Sequence, residues 1–406
     1  MAGISPGGRQ FRLEKFEATN KGAKESGASS AFATLKWHPN FKVMESMKKA
    51  VLFCPSRVWG GIEKNVHLRA RFLGASNVQV YVILLEGYFA ERFANMENVE
   101  TIEVKSRGGD LNLFVVANYV RILKKIRPDV VFSALKKDWW LVSLASRLAG
   151  VNRIVLYLGI ARRVKSPIKY FAIFRLMKSI LMVNSDSLKN EMLKYPNFFN
   201  ERNVIRVYNG FNLPPSEGGQ QDFRALLDLP PETVIVGCAG RFSPQKGFDL
   251  LPDILSHLPD NIHIVHAGEG EFEEEIKAGI QGRPESRRIH FLGYQRDMQA
   301  FFKGIDLFLL CSRNEGMANV LNEAMSYGKP VVSTRVPGSE ELLAYGKYGV
   351  LVAVDDVESM ANGIRAISEG KTVFSPAALR QWIGDEFSLQ RMIRETNRLF
   401  FEAELR

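Results

Sequence analysis

LFLLCSRNEGMANVLNEAMSYGKPVVSTRV, Leu307–Val336, decides the fold. The apolar run Leu307–Leu310 suits a strand buried on both faces. It delivers the polar turn Ser312-Arg313-Asn314-Glu315-Gly316. A helical pattern starts near Met317–Ala318, runs to Tyr327 and stops at Gly328, before a second apolar run at Pro330–Ser333. Strand, loop, helix and strand make a parallel βαβ unit. The same alternation continues outward through Val234–Ala239, Ile262–His266, Ile289–Leu292 and Gly349–Val352. An earlier series holds MKKAVLFCP from Met47, then Val80–Leu85, Val130–Leu135, Ile154–Leu158 and Leu181–Asn184. Two such series predict an α/β chain of two doubly wound, Rossmann-like domains.

A length of 406 residues fits two domains, each able to bury a full core. Residues 1–46 mix Gly, Ala, Ser and Lys without period and are expected to be a flexible extension. The first domain is placed at 47–212 and the second at 213–386. Leu213-Pro214-Pro215-Ser216-Glu217-Gly218-Gly219 reads as the linker. The tail FSLQRMIRETNRLFFEAELR, 387–406, has helical period and is long enough to return to the first domain.

Charge is divided unevenly. Residues 1–212 carry 34 Lys and Arg against 16 Asp and Glu, a charge of +18, and the rest carry 20 against 28, or −8. A basic half facing an anionic partner is the physical reading. Trp139–Ser185 has no acidic residue and holds Arg147, Arg153, Arg162, Arg163, Lys165, Lys169, Arg175 and Lys178 among aromatics. A basic, aromatic segment of this kind suits an anionic membrane surface; of these cations Arg162, Arg163, Lys165, Lys169, Arg175 and Lys178 are the expected contacts to membrane or anionic acceptor. No nucleic-acid-binding pattern accompanies the charge, so nucleic acid is not expected. No apolar run is long enough to span a bilayer as a helix, and the start has no signal-peptide core. Cys54, Cys238 and Cys311 lie in apolar runs and read as buried free thiols.

Two loops carry chemistry. VIVGCAGRFSPQKGFD, Val234–Asp249, ends a buried strand at Gly240 and then offers Arg241 and Lys246. Ligands of open parallel sheets bind beyond the strands' carboxyl ends, and an Arg fork with a mobile Lys suits a diphosphate. In the second loop Glu315 precedes a helix and Glu323 lies two turns inside it. The helix start offers free N–H groups to phosphate or sugar oxygens, while carboxylates accept from sugar hydroxyls.

Glu315-x7-Glu323 within EGMANVLNEAMSYGKPVV resembles the signature of retaining glycosyltransferases of family 4, which have the GT-B fold. GRFSPQKGFD resembles that family's phosphate loop, VYNGFN (Val207–Asn212) its hinge-proximal segment, and Gly60-Gly61 in SRVWGGIEKNVHLRARFL its first glycine loop. The likeness runs from about Lys48 to Arg406 and is nearest to lipopolysaccharide-core enzymes. It implies a nucleotide-sugar donor, UDP-linked by family frequency, held mainly by the second domain. Arg241 and Lys246 would hold the diphosphate and neutralise the leaving group, Glu315 would meet sugar hydroxyls and Glu323 the ribose. Gly316, Met317, Ala318 and Asn319 would present backbone to the donor, and Gly60 and Gly61 would approach the diphosphate across the cleft. Tyr294 and Arg296 are placed near the base. Attack from the leaving-group side, with the phosphate helping to deprotonate the acceptor hydroxyl, leaves little acid–base work. No cofactor and no metal are expected. The acceptor would be a lipid-linked or anionic glycan, and the enzyme is expected to be cytoplasmic and peripheral on the inner face of the cytoplasmic membrane.

One departure from the family pattern stands out. Many members carry a His after the fourth strand of the first domain, where this chain reads FSALKKDWWLVS. Asp138 is the polar candidate there, either in the active site or as N-cap of the following helix. Of the histidines only His266, at a strand end, is near the expected site. The alternatives are a nucleotide-sugar isomerase of the UDP-GlcNAc 2-epimerase type, which needs paired acid/base carboxylates and His in the cleft, and a non-catalytic nucleotide-sugar-binding subunit.

Overall fold

The apolar runs form strands in the computed structural model, which describes residues 47–105, 112–160, 164, 166–214 and 219–402. The first seven are β1 (Lys48–Phe53), β2 (Val78–Leu85), β3 (Val99–Val104), β4 (Val130–Ser133), β5 (Arg153–Leu158), β6 (Ile180–Val183) and β7 (Val204–Arg206). They pair in the order β3-β2-β1-β4-β5-β6-β7. The second sheet has β8 (Val234–Ala239), β9 (Ile262–Ala267), β10 (Ile289–Phe291), β11 (Leu307–Leu310), β12 (Val331–Thr334) and β13 (Val350–Val352). Its order is β10-β9-β8-β11-β12-β13, and the strand pairs of both sheets run parallel.

Side chains alternate across each strand, so every strand feeds two cores. Val51 and Phe53 pack with Tyr119, Leu123 and Val142 on one face of the first sheet. Ala50 and Leu52 face the other way, onto Ala70 and Leu73 of the helix Gly61–Ala75. In the second sheet Ile235 and Phe308 pack with Phe302 and Leu321, while Val236 and Leu307 pack with Leu251 and Ile364. The three cysteines are buried and free.

Two strands escape a search for continuous apolar runs. β3 and β7 are the outer strands of the first sheet. β3 reads VETIEV, with its glutamates exposed. A strand covered on one face only shows alternation rather than a run.

The chain crosses back after the second sheet. Phe211 N–H donates to Phe387 O at 2.8 Å and Leu389 N–H to Phe211 O at 3.0 Å. Ser388 then caps the helix Leu389–Phe401. Its Leu389, Met392, Leu399 and Phe400 complete the first sheet's core, each such buried side chain contributing roughly 2 kcal/mol. Arg153 of β5 fastens the helix end by donating to Leu399 O at 2.6 Å.

The domains also meet directly. Glu341, buried on the short helix Ser339–Leu342, accepts from Asp186 N–H and Ser187 N–H at 2.8 Å each. Those amides open the helix Asp186–Leu193 of the first domain. A β-carbon on Gly316 would lie 1.5 Å from Gly159 O, so only glycine permits this approach.

Candidate functional site

In each sheet the connections diverge on either side of one strand pair, β1/β4 and β8/β11. A crevice opens beyond the carboxyl ends at such switch points. The two crevices face each other across a cleft of about 800 Å³. Gly60 and Gly61 follow β1, Gly240–Lys246 follows β8, and Glu315–Asn319 follows β11. All of Gly60, Gly61, Arg241, Lys246, Glu315, Gly316, Met317, Ala318, Asn319 and Glu323 line it, as do Tyr294 and Arg296.

The phosphate-type loop is shaped by its neighbours. Gly240 has φ 154°, and a β-carbon there would stand 3.2 Å from the Lys246 stem. Pro244–Lys246 forms a short 3₁₀ turn. Arg313 holds it: its fork donates to both Asp249 oxygens at 2.8 and 2.7 Å, to Pro244 O at 2.9 Å and to Asp355 at 2.7 Å. The Asp249 partnership raises the Arg313 pKa and lowers that of Asp249. Arg241 is exposed and, among the described residues, forms no ion pair. Lys246 donates to Glu315 Oε1 at 2.6 Å, and Ser312 Oγ–H donates to the same oxygen at 3.0 Å.

The helix Asn319–Ser326 begins on Ala318, which has no side chain to cap it. Its first N–H groups are therefore suited to an anion or a sugar oxygen. Burial raises the Glu323 pKa, with Lys64 opposing the shift. His266 is buried against Phe242 and Phe248, and its Nε2–H donates to Gly240 O at 3.1 Å. Desolvation pushes its pKa down to about 4. It braces the loop from beneath and does not line the cleft.

The first domain supplies residues that local motifs did not single out. Lys64 and Glu63 line the cleft from the helix after Gly61. Glu63 accepts from Gly60 N–H at 3.0 Å, which fixes the glycine turn; the three-residue spacing of a capping box marks it in the sequence. Asn209, in the hinge segment, joins both domains. It accepts from Asn65 Nδ2 and Tyr157 OH of the first and donates to Asn319 Oδ1 of the second at 3.1 Å.

Other expected residues lie elsewhere. Asp138 is buried and does not line the cleft. It precedes the helix Trp139–Leu148, yet its side chain makes no capping bond there. Its carboxylate instead raises the pKa values of Cys54 and Tyr119 in the core, where burial is the larger cause. The acid-free run Trp139–Ser185 is not one amphipathic surface helix. It holds two strands, the helices Trp139–Leu148 and Pro167–Phe171, and a π-helical turn, Ala172–Leu176. Tyr170 and Phe174 point into a core with Trp139 and Phe199. Arg175 donates to Asn197 O and Pro196 O, and Arg147 to carbonyls at Met177, Val151 and Asn152. Lys178 is exposed, as are Ile168 and Leu176, at 88% and 68%. Arg162, Arg163 and Lys165 lie outside the described residues. Among the described residues no helix is long and apolar enough to cross a membrane.

Comparison with known proteins gives this geometry a family. The family model described as "Glycosyl transferases group 1" matches residues 233–369, and "Glycosyl transferase 4-like" matches residues 63–161. The lipopolysaccharide core biosynthesis glycosyltransferase LpsE of Rhizobium meliloti is 33% identical over 36% of this chain and 42% of its own. The lipopolysaccharide core biosynthesis mannosyltransferase LpsB of the same strain is 32% identical over 41% and 49%. The chain thus spans less than half the length of these relatives. Among solved structures, Anabaena Alr3699/HepE in complex with UDP and glucose superposes with a TM-score of 0.72 at 21% identity, over 86% of this chain and 98% of that one. Two matched domains, one on each side of a cleft between parallel sheets, show that the chain carries glycosyl transferase domains of the 4-like and group 1 types on a GT-B fold.

Proposed function

We propose that the protein is a retaining glycosyltransferase that moves a hexose from a nucleotide sugar, a UDP-sugar by family frequency, to a lipid-linked or anionic glycan such as lipopolysaccharide core. One observation carries this reading: Arg241, Lys246, Glu315 and Glu323 of the second domain converge on the cleft that Gly60 and Gly61 enter from the first. Breaking a glycosyl–phosphate bond builds positive charge on the sugar and negative charge on the departing phosphate. Arg241 and Lys246 meet the phosphate charge, while the carboxylates and uncapped amides hold the sugar and ribose hydroxyls. The lipopolysaccharide-core relatives and the UDP-bound structural neighbour support the donor and acceptor classes. The isomerase alternative needs histidine in the cleft, and among the described residues none lines it.

Turnover of a panel of labelled nucleotide sugars with a membrane-lipid extract tests the reading. Arg241→Ala and Lys246→Ala are each expected to lower turnover 10²–10³-fold, the scale of losing one preorganised donor, with little change in Tm. Near-normal transfer by either variant overturns the leaving-group role. Activity is expected to persist in excess EDTA; loss restored by Mg²⁺ or Mn²⁺ overturns metal independence.

Attachment to the inner face of the cytoplasmic membrane belongs to the same proposal, supported by the +18 half-chain and the exposed Ile168 and Leu176. Vesicles with anionic lipid are expected to bind the protein and neutral ones to leave it, with salt weakening the binding. Replacing Arg162, Arg163, Lys165 and Lys169 by Gln reduces cosedimentation and spares donor binding. Unchanged cosedimentation would mean that these cations do not face the membrane.

A further inference from the structure

Among the described residues Glu315 receives two protein hydrogen bonds, and both fall on one oxygen. Lys246 Nζ lies 2.6 Å from Oε1 and Ser312 Oγ 3.0 Å from it. Neither donor uses Oε2. The Glu315 side chain is only 11% exposed, so these partners stand in for the water it has lost. Ser312 is fully buried, and its own place is secured through its main chain, where Thr334 Oγ1 donates to Ser312 O at 2.6 Å. The hydroxyl is thus held in place whether or not a ligand is present.

We propose that Ser312 is a positioning residue that lets Lys246 move from Glu315 to a donor diphosphate. This inference rests on the donor-binding reading of the cleft. In the resting site Lys246 is paired with Glu315, and an arriving phosphate competes for it. If Lys246 were the only donor to Glu315, its departure would strand a buried carboxylate. The Ser312 hydroxyl keeps Oε1 paired throughout, so the lysine leaves at lower cost and the carboxylate keeps its orientation. Oε2 then remains available to a sugar hydroxyl. Ser312 touches no substrate in this scheme; it acts through Glu315.

The test is a double-mutant cycle read by calorimetric titration with UDP and GDP, alongside UDP-glucose and GDP-mannose. Ser312→Ala is expected to weaken binding of whichever nucleoside diphosphate the wild type takes by about tenfold, or about 1.4 kcal/mol. On a Glu315→Gln background, where no carboxylate charge can be stranded, the same substitution is expected to change affinity less than twofold. Ser312→Cys keeps the size with a weaker donor and is expected to fall between. Equal losses on both backgrounds overturn the proposal and assign Ser312 to packing. Full affinity in Ser312→Ala overturns it as well, showing that the hydroxyl is not used. A wild type that binds none of the four ligands fails at an earlier point: the donor reading falls, and the positioning role falls with it.

Discussion

A buried imidazole sets how the loop responds to acid. His266 keeps a folded pKa of about 4 because burial disfavours its charged form. In the unfolded chain it returns to the ordinary value near 6.5. Between those values the unfolded state binds the extra proton, so stability falls as pH drops from about 6.5 to about 4. The shift amounts to roughly 3 kcal/mol once both limits are passed. His266→Gln is expected to flatten urea-derived stability over that window, and an unchanged slope would remove His266 as the cause. At this scale the sequence places a residue where its position follows from its neighbours in the chain. The Glu315–Glu323 spacing and the Arg241–Lys246 loop are local patterns, and all four side chains line the cleft. Lys64 gains its place from facing another domain, and Asn209, though it lies in the quoted segment VYNGFN, gains its partners Asn65, Tyr157 and Asn319 only in the folded chain. Asp138 shows the converse: its position after β4 suggested either a cleft residue or a helix cap, and it is buried, does not line the cleft and makes no capping bond.

At the scale of elements, one arginine joins two loops. Arg313 belongs to the Glu315 loop, yet its fork grips Asp249 and Pro244 of the Lys246 loop. Its amide also donates to Gln245 O at 2.8 Å. Arg313→Lys keeps the charge and loses the planar fork, so it is expected to lower turnover by about tenfold while faster hydrogen exchange appears across 241–249. Unaltered exchange there would show that the loop holds itself. Asp249 is held below the ordinary carboxylate range mainly by its bond to Arg313. Its contribution is therefore complete above the unfolded aspartate range and is lost as pH falls through the lower folded value. The inner strands of both sheets were legible as apolar runs because they are covered on both faces. Outer strand β3 was not, since solvent replaces one of its faces, and β7, three residues long, is too short to stand out as a run.

At the scale of the whole molecule, the two domains meet at points that can be tested one by one. Glu341 of the second domain satisfies two amides at the start of a first-domain helix. Glu341→Ala strands those amides, at about 1–3 kcal/mol each if they stay dry. X-ray scattering is expected to show a larger radius of gyration for this variant, and likewise for Gly316→Ala, whose methyl would overlap Gly159 O. Scattering curves identical to wild type for both would show that closure is held elsewhere. Return of the chain was legible in the period of 387–406, though its anchor on Phe211 and Arg153 was not, because both partners are distant in sequence. That return helix has a consequence for biosynthesis. Leu389, Met392, Leu399 and Phe400 are translated after the thirteen strands of the described residues, yet they belong to the core beneath β1. The amino-terminal domain therefore leaves the ribosome with an open apolar face and waits while the entire second domain is made. It is a natural client for a holdase during that interval, and a message truncated after the second sheet yields a first domain that aggregates rather than a smaller working one.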